Sequence, residues 1–260
     1  MTHNQDRTTS DAAASDEKTA VILLAAGSGK RMKAGQNKLF LTLQGRTVLE
    51  YTADAFQQSR QVDGILVVAK ESELEQVRTL LPQTQYDKII GFTAGGKERQ
   101  DSVLCGLQAL PQAYSRVLIH DGARPFVTDG LIAELLFKLT PECGTIAGVP
   151  AKDTVKRVDA DGFVQQTLTR SELWNIQTPQ CFYTAPILRC YQQGKADGYI
   201  ATDDASLAEH YGLPVKVVSA YYENIKLTTP EDLDVAEVFL KRMQRISQSE
   251  TDTEQIQEIR

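Results

Sequence analysis

The residues best suited to chemistry in this chain follow an apolar run near its N-terminal side. Val21–Ala25 contains no polar residue, and a loop with two glycines and several cations comes directly after it. Gly27 and Gly29 let the backbone approach a ligand closely, and Arg31 and Lys38 supply positive charge. Backbone N–H groups and cations aimed at one point suit a polyphosphate, so this loop predicts a nucleotide site.

This loop matches neither of the two familiar glycine signatures for nucleotides. A Walker A loop ends in Gly-Lys-Ser/Thr, whereas Lys30 is followed here by Arg31. The dinucleotide fingerprint needs a third glycine where this chain has Met32, so an oxidoreductase is disfavoured. An ordinary glycine turn with solvated cations stays open as an alternative for this segment taken alone.

A second glycine pair follows another predicted strand and leads into a helix. Gly95 and Gly96 precede Arg99, which could reach a phosphate, and Ser102, which could cap the helix. A plain loop with a capped helix explains the same residues equally well. The segment therefore supports a nucleotide site only together with the other clusters.

An acidic residue follows the short predicted strand Val117–Ile119. Asp121, which is next to small residues, is well placed to bind Mg²⁺ held between phosphates. The alternative is an Asp-Gly turn in which Asp121 pairs with Arg124. We favour the metal role because it would complete the phosphate site.

Further cations stand in the second half of the chain. Residues 152–157 and Arg170 flank a segment that alternates polar and apolar residues, and the solvated face of a hairpin also explains their charges. Lys226 differs, because it lies between the apolar residues Ile225 and Leu227. A capped helix start downstream does not explain a cation in that setting, so we treat Lys226 as a candidate functional residue.

Composition restricts the classes of function. The 260 residues carry a net charge of −6, which disfavours general binding of nucleic acids or membrane surfaces. No apolar stretch approaches the length of a membrane span, and the N-terminal segment lacks the apolar region of a signal peptide. The four cysteines form no metal-ligand pattern, so we expect reduced thiols in a cytoplasmic protein without zinc. Three histidines offer few candidates for a general base, which phosphate chemistry driven by cations does not need.

Strands alternate with helices over most of the chain. This order predicts an α/β fold in which a mostly parallel, twisted sheet is flanked by helices, with ligands beyond the carboxyl ends of the strands. The predicted strands are Val21–Ala25, Gly64–Ala69, Lys88–Thr93, Val117–Ile119, Thr145–Val149 and Val215–Val218. The predicted helices are Thr47–Gln58, Glu71–Leu81, Ser102–Ala109, Asp129–Lys138, Ala205–His210 and Pro230–Arg245.

One segment departs from this alternation. Residues 151–171 alternate polar and apolar positions around Asp159–Gly162, which indicates a projecting β-hairpin arm. We expect this arm to contact a second subunit. Residues 19–246 are predicted to form one domain, between a disordered extension at 1–18 and a polar tail at 247–260.

Taken in order, these segments resemble a known family, the 2-C-methyl-D-erythritol 4-phosphate cytidylyltransferases of the non-mevalonate isoprenoid pathway. The resemblance extends from Ala20 to Met243, nearly the whole chain apart from its tails. Each block is weak evidence alone, but seven blocks in sequence are specific. The blocks are Ala25–Met32, Gly95–Gly96 with Arg99 and Ser102, His120–Pro125, Pro150–Thr154, Thr178–Gln180, Thr202–Ser206 and Asn224–Lys226.

The resemblance implies a Rossmann-like fold of the nucleotidyltransferase type and an enzyme that transfers CMP from CTP to methylerythritol phosphate. It also implies Mg²⁺ bound by Asp121, and a homodimer in which each arm reaches the partner's site. Of four implied catalytic residues, Arg31 and Lys38 would stabilise the transition state, while Arg170 and Lys226 would position the acceptor. The implied nucleotide-binding residues are Ala25, Ala26, Gly27, Ser28, Gly29, Gly96, Arg99, Ser102, Asp121 and Gly122, and the further substrate-binding residues are Thr154, Thr178 and Thr202.

Two positions depart from the pattern of that family. Asn37 stands before the implied catalytic lysine, where proline is frequent. Lys97 stands where an acidic residue is frequent, which puts ribose contacts at that position in doubt. Both departures are mild.

Three other functions stay open from the sequence. A cytidylyltransferase for another polyol phosphate, such as ribitol 5-phosphate, would share the nucleotide half, although residues 150–156 favour the methylerythritol enzymes. A sugar-nucleotide or molybdopterin nucleotidyltransferase that uses GTP or UTP is more distant. A catalytically inactive module that regulates a partner would not need Arg31, Lys38, Asp121 and Lys226 together.

Overall fold

The structure is a computed structural model that describes residues 17–27 and 37–243. Within these ranges the strands are β1 (Lys18–Leu24), β2 (Thr42–Leu43), β3 (Arg46–Thr47), β4 (Gly64–Ala69), β5 (Ile89–Ala94), β6 (Tyr114–Asp121), β7 (Gly144–Pro150), β8 (Lys156–Val158), β9 (Val164–Thr167), β10 (Trp174–Tyr183) and β11 (Val215–Ser219). The α-helices are α1 (Val48–Gln58), α2 (Leu74–Leu80), α3 (Arg99–Ala109), α4 (Asp129–Lys138), α5 (Thr184–Asp197), α6 (Asp204–His210) and α7, which is helical over 230–243. Short 3-10 helices occupy Lys38–Phe40, Glu71–Glu73 and Arg170–Glu172.

The central sheet of the described chain has the strand order β11-β7-β10-β6-β1-β4-β5. Its described pairs are parallel except for those that β10 makes with β6 and β7. β1 lies between β4 and β6, with Val21 opposite Ile65 on one side and Leu118 on the other. The carboxyl ends of β6, β1, β4 and β5 therefore lie side by side.

Helices cover both faces of the sheet because its central strands are apolar on both sides. In β1, Val21 and Leu23 pack into one core with α1, α2, α4 and α7, whereas Ala20 and Ile22 pack into the other core with α3, α5 and α6. Burial on both faces explains the continuous apolar run. Gly106 lets α3 approach the sheet, since an added Cβ would lie 2.8 Å from Ile22 Cγ2.

The predicted α/β fold is confirmed, and three details of it are corrected. No element is predicted for residues 174–197, where the structure has β10 and α5. The predicted helix Glu71–Leu81 is a 3-10 turn followed by α2. Ser102 does not cap α3, because the helix begins three residues earlier, where the Asp101 carboxylate accepts from the Glu98 N–H at 3.1 Å.

The predicted hairpin arm is present as β8 and β9. These strands pair with each other from Lys156 and Thr167 onward, and every residue in both is exposed. Asp159 supports the turn, because its Oδ1 accepts from the N–H groups of Asp161 and Phe163 at 3.1 and 2.9 Å. The arm therefore stands away from the helices that cover the sheet.

The ends of the domain are described in part. β1 begins at Lys18, one residue before the predicted start of the domain. Residues 1–16 and 244–260, which hold most of the predicted extension and all of the predicted tail, lie outside the described ranges. Within those ranges, no helix has the length and apolar character needed to cross a membrane. All four cysteines are described, and each is a free thiol.

Candidate active site

A cavity of about 740 Å³ lies where β6, β1, β4 and β5 end. Ligands bind at this end of open α/β sheets, and the volume suits a nucleotide. Of the described lining residues, five are lysine or arginine and two are acidic, so the charge favours an anion. The lining residues are Leu24, Ala26, Gly27, Lys38, Leu39, Lys70, Gly96, Lys97, Glu98, Arg99, Ser102, Asp121, Gly122, Ala123, Lys226 and Thr228.

Asp121 ends β6 and stands between two cations. Its Oδ2 lies 2.6 Å from Lys226 Nζ, and its Oδ1 lies 3.4 Å from Arg99 Nε. Burial alone would raise the pKa of this carboxyl, but the charges of Arg99 and Lys226 outweigh it and hold the pKa well below its usual range. Arg124, the alternative partner offered by the sequence, donates instead to the Asn224 carbonyl at 2.8 Å. Asp121 is therefore ionised at neutral pH and faces the cavity.

Arg99, at the start of α3, is anchored by a carboxylate that is not part of the lining. Its Nη1 and Nη2 donate to the two oxygens of Asp204 at 2.8 and 2.7 Å. Asp204 is completely buried, and its Oδ1 also accepts from the Tyr191 hydroxyl. Burial alone would lower the pKa of Arg99, but the Asp204 carboxylate reverses this and raises it. The guanidinium is thus charged and fixed in orientation.

Lys38 and Lys226 are brought to the cavity by one set of contacts. Lys38 Nζ donates to the Leu227 carbonyl at 2.7 Å. The Leu227 N–H in turn donates to the Ala123 carbonyl, just after β6, at 2.9 Å. These bonds hold the chain around Lys226 against the end of β6, so that two cations from distant parts of the sequence line one cavity.

Asn37 positions the 3-10 helix that begins with Lys38. It is buried, and its Oδ1 accepts from the Leu39 N–H at 3.2 Å. Its Nδ2 donates to the Ala25 carbonyl at 3.3 Å and to Glu73 Oε2 at 2.7 Å. A proline, the residue that the resemblance leads one to expect, could make none of these side-chain bonds. In this chain the side chain of Asn37 ties the lysine to the end of β1.

Two glycines let the backbone close around the cavity. An added Cβ at Gly122 would lie 2.8 Å from the Leu24 carbonyl oxygen, and one at Gly96 would overlap the Cβ of Asp101. The Gly96 N–H donates to Ser102 Oγ at 3.2 Å. Ser102 therefore holds the glycine loop in place.

His120 lies fully buried beneath Asp121. Its Nε2 is 3.0 Å from the Arg124 carbonyl, which can only accept, so Nε2 carries the proton. Its Nδ1 therefore accepts from the Thr178 hydroxyl at 3.1 Å, and Thr178 Oγ1 in turn accepts from the Asp121 N–H at 3.1 Å. Burial lowers the pKa of His120 to about 4, so the ring is neutral and both nitrogens are engaged. His120 supports the end of β6 and is not placed to act as a general base.

We expect this buried histidine to make the protein less stable in mild acid. Because the pKa of His120 is about 4 in the fold and 6.5 is its ordinary value, the unfolded chain takes up the proton first. The contribution of His120 to the unfolding free energy is complete above pH 6.5, and it falls by about 3 kcal/mol as the pH drops to 4. Urea unfolding of His120→Gln should show a flatter pH dependence over this window. His210→Gln, at an exposed position, is the matched control, and equal slopes in all three proteins would contradict the assignment.

The structure brings nine predicted site residues together at the cavity. They come from the ends of three strands, from the 3-10 helix that begins at Lys38, from the start of α3 and from the chain around residue 226. Their convergence agrees with a single nucleotide site, although the role of each residue stays a prediction. The nine are Ala26, Gly27, Lys38, Gly96, Arg99, Ser102, Asp121, Gly122 and Lys226.

The other predicted site residues are placed differently. Ala25 and Thr178 are buried, and the Thr178 hydroxyl is engaged beneath Asp121, so the structure does not place it where a substrate would touch it. The remaining described residues are exposed and outside the lining, namely Thr154, Arg170 and Thr202. Ser28, Gly29 and Arg31 lie outside the described residues.

Three charged residues of the site were not predicted from the sequence, namely Lys70, Glu98 and Asp204. Lys70 lines the cavity directly after β4, and its Nζ lies 2.8 Å from Glu73 Oε1. Its place at the end of a predicted strand was a usable signal. Asp204 binds Arg99 across a separation of 105 residues, which no local spacing indicates, and its one signal in the sequence was its place in the Thr202–Ser206 block of the resemblance.

The fold and the site together define a class of protein. A cation-rich cavity at the carboxyl ends of parallel strands, with close-approach glycines and an ionised aspartate, is typical of a nucleotide-binding enzyme that transfers phosphorus-containing groups. Residues 19–242 match the family model of 2-C-methyl-D-erythritol 4-phosphate cytidylyltransferase. The chain belongs to this family, which confirms the predicted family and the predicted kind of enzyme, a nucleotidyltransferase.

Curated relatives with that name are similar over most of their length. The protein from Halalkalibacterium halodurans is 45% identical over 226 residues, which is 87% of this chain and 98% of the relative. The protein from Geobacillus thermodenitrificans is 46% identical over 219 residues, covering 84% and 95%. Among solved structures, the 4-diphosphocytidyl-2C-methyl-D-erythritol synthase of Anaerococcus prevotii superimposes with a TM-score of 0.78 at 33% identity, covering 89% of this chain and all of that one.

Proposed function

We propose that this chain transfers the cytidylyl group of CTP to the phosphate of 2-C-methyl-D-erythritol 4-phosphate in isoprenoid precursor biosynthesis, and that both substrates meet in the cavity. The products are pyrophosphate and 4-diphosphocytidyl-2-C-methyl-D-erythritol. The proposal rests on the convergence of Lys38, Arg99, Asp121 and Lys226 where the parallel strands end. Both substrates are polyanions, and this is the cation-rich part of the described chain where they would be held together.

The reaction needs little proton transfer. An oxygen of the phosphate monoester attacks the α-phosphorus of CTP, and pyrophosphate leaves from the opposite side. The second pKa of such a monoester is about 6, so the nucleophile is already mostly dianionic at neutral pH. This agrees with the buried, neutral state of His120, which takes no part as a base. The task of the protein is to hold two anions together and to stabilise the charge that develops on the α-phosphate and the leaving group.

The cations would divide this task. Lys38 is fixed by its bond to the Leu227 carbonyl, so its ammonium group is preorganised to stabilise the α-phosphate in the transition state. Lys226, held by Asp121, would position the acceptor phosphate. The glycine backbone at residues 26–27 and 96 would hold the nucleotide. Arg31, which the resemblance implies as a second transition-state residue, stays a prediction.

The site fits a magnesium ion that arrives with the nucleotide. The described residues contain no cluster of three or more histidine, cysteine or acidic residues that would hold a metal by themselves. Mg²⁺ in enzymes that act on nucleotides is held by one or two carboxylates together with substrate phosphates, and the ionised Asp121 supplies such a carboxylate at the cavity. When bound, the ion would neutralise charge on the phosphates.

We further propose a homodimer in which the arm completes the partner's site. Thr154 and Arg170 are exposed and lie outside the cavity lining of their own chain. Large apolar side chains on and beside the arm are also exposed, for example Phe163 at 71% and Val164 at 58%. Large exposed apolar side chains concentrated on one projecting element favour an interface. Pairing of two chains through the arms would bury this surface and bring Arg170 to a cavity.

Mixing two inactive variants tests the shared site. Arg170→Ala keeps an intact cavity and Lys38→Ala keeps an intact arm, so a hybrid dimer contains one complete site. After subunit exchange, an equal mixture should recover about a quarter of the wild-type activity. The control mixture of Lys38→Ala with Asp121→Asn has both changes in the cavity and should recover none. Lack of recovery in the first mixture, with exchange shown by mass spectrometry, would argue against a shared site.

Release of pyrophosphate tests the proposed reaction. We would supply CTP and Mg²⁺ with either methylerythritol phosphate or ribitol 5-phosphate. Turnover with methylerythritol phosphate alone supports the proposal, whereas preference for ribitol phosphate would keep the chemistry and replace the acceptor. A folded protein that binds CTP without turnover of either acceptor would favour the regulatory module.

The four free thiols agree with a reducing compartment, so a cytoplasmic location is also part of the proposal.

A further inference from the structure

Arg99 contacts two carboxylates with unequal geometry. Its Nη1 and Nη2 donate to both oxygens of Asp204 at 2.8 and 2.7 Å, whereas its Nε lies 3.4 Å from Asp121 Oδ1. Asp204 is wholly buried, and the Tyr191 hydroxyl donates to its Oδ1. The guanidinium therefore gives its paired N–H groups to a carboxylate outside the cavity lining, and turns a single N–H toward the carboxylate that lines the cavity.

Two carboxylates within reach of one arginine compete for its paired N–H groups. A guanidinium binds a carboxylate most strongly through two parallel N–H···O bonds. Because Asp204 accepts both of them, Asp121 keeps its Oδ2 on Lys226 and its position at the cavity. If the carboxylate at position 204 were removed, Asp121 would be the acid already in contact with Arg99 and would take its place.

We propose that Asp204 is a positioning residue for the reaction: by occupying the paired N–H groups of Arg99, it keeps Asp121 available to the substrate and its cation. This inference rests on the proposed function, because it takes Asp121 as the carboxylate that meets magnesium-bound CTP. Asp204 lies behind Arg99 and does not line the cavity. Its influence on the reaction therefore passes through the orientation of Arg99.

A purely structural role of Asp204 predicts a different result. The Arg99–Asp204 pair, whose carboxylate is completely buried, joins α3 to α6, so removing one partner destabilises the fold whatever happens at Asp121. Loosened packing lowers the affinity for CTP whether or not Mg²⁺ is present. If instead Asp121 is drawn toward Arg99, the affinity for CTP falls only when Mg²⁺ is present, because the ion would link CTP to that carboxylate. The magnesium dependence of CTP binding therefore separates the two roles.

Calorimetric titration of CTP, in excess Mg²⁺ and in a chelator, makes the test without turnover. For Asp204→Asn we expect the affinity in Mg²⁺ to fall about tenfold or more, the usual effect of losing a residue that orients a metal ligand, and the affinity in chelator to change less than threefold. Asp203→Asn is the matched control. Asp203 is the adjacent acid, and it caps α6 through Ser206 and binds Gln180. Both of its affinities should stay within about twofold of wild type.

Equal losses with and without Mg²⁺, or no loss in a folded Asp204→Asn protein, would overturn the inference. If that variant does not fold, the double variant Arg99→Gln with Asp204→Asn decides, because it leaves no unpaired buried charge. With Arg99 gone, no guanidinium can draw Asp121 away, so any loss of CTP affinity in this double variant should be equal within about threefold in Mg²⁺ and in chelator, and a loss in Mg²⁺ more than about threefold larger than the loss in chelator would overturn the inference. A wild-type protein that does not bind CTP would overturn the proposed function instead.

Discussion

Replacing Lys38 by alanine is expected to lower kcat roughly 100-fold, with a much smaller change in the KM for CTP. The Nζ atom of Lys38 is held 2.7 Å from the Leu227 carbonyl, and Asn37 fixes the turn from which it projects. An ammonium group placed in advance stabilises charge that develops on the α-phosphate more than charge already present in the ground state. Its removal should therefore slow the chemical step, measured as pyrophosphate release in a single turnover.

Two controls separate this effect from a loss of fold. Lys138→Ala removes the same charge from the exposed face of α4, where Lys138 pairs with Glu134, and should leave kcat unchanged. Lys38→Ala also loses the bond to the Leu227 carbonyl, so its unfolding free energy should fall by about 1–2 kcal/mol. A folded Lys38→Ala protein with kcat within threefold of wild type would refute the assigned role. The resemblance implies a similar loss for Arg31→Ala.

Strong local patterns made most of the fold predictable. The strand Gly64–Ala69 and the helix Asp129–Lys138 have the predicted bounds, because continuous burial and regular helical spacing leave little ambiguity. β10 was missed because its buried half contains Gln177, Thr178 and Gln180, whose partners lie far away in the sequence. Polar residues that are satisfied only by tertiary contacts do not resemble a strand in a single sequence.

The missed helix α5 has a different explanation. Its buried residues Ile187, Cys190, Tyr191 and Gly194 have helical spacing. Pro186 lies in its first turn, where proline is tolerated, and Gly194 lets the helix pack closely, since an added Cβ would lie 2.9 Å from Leu207 Cδ1. In the sequence, Pro186 and Gly194 both disfavour a helix. The pattern of residues therefore does not predict α5, although the structure tolerates the proline and uses the glycine to pack against α6.

The residues of the site show the same difference between local patterns, which a sequence reveals, and tertiary contacts, which it does not. Asp121, Gly96 and Lys38 could be proposed because each follows or approaches a strand end with a recognisable local pattern. What the sequence could not supply is the pairing of charges, since Arg99 with Asp204 and Lys226 with Asp121 are contacts between residues about 100 positions apart. Which cations face the substrate and which are neutralised by a buried acid depends on these pairs, and only the fold determines them.

Replacing Asp121 by asparagine is expected to have opposite effects on binding and on turnover. The substitution removes one of two acidic groups from a cavity lined by five cations, so CTP should bind equally well or more tightly in the absence of Mg²⁺. With Mg²⁺, the nucleotide-borne ion would lose the carboxylate ligand that we propose for it, and kcat/KM should fall roughly 100- to 1,000-fold. Calorimetry in a chelator and steady-state kinetics in Mg²⁺ measure the two effects separately.

The opposite signs make Asp121→Asn a sharper test than a simple loss of activity. Arg99 stays paired with Asp204 in this variant, and Lys226 is one-third exposed, so the unfolding free energy should change by only about 1 kcal/mol. Asp63→Asn makes the same substitution at the opposite end of the sheet, where Asp63 accepts from the Thr19 N–H at 2.8 Å, and should alter neither measurement. Weaker binding of CTP in chelator would show that Asp121 contacts the nucleotide directly. Unchanged turnover in Mg²⁺ would exclude Asp121 as the residue that binds the metal. The position of this carboxylate between two cations would then not be explained by metal binding.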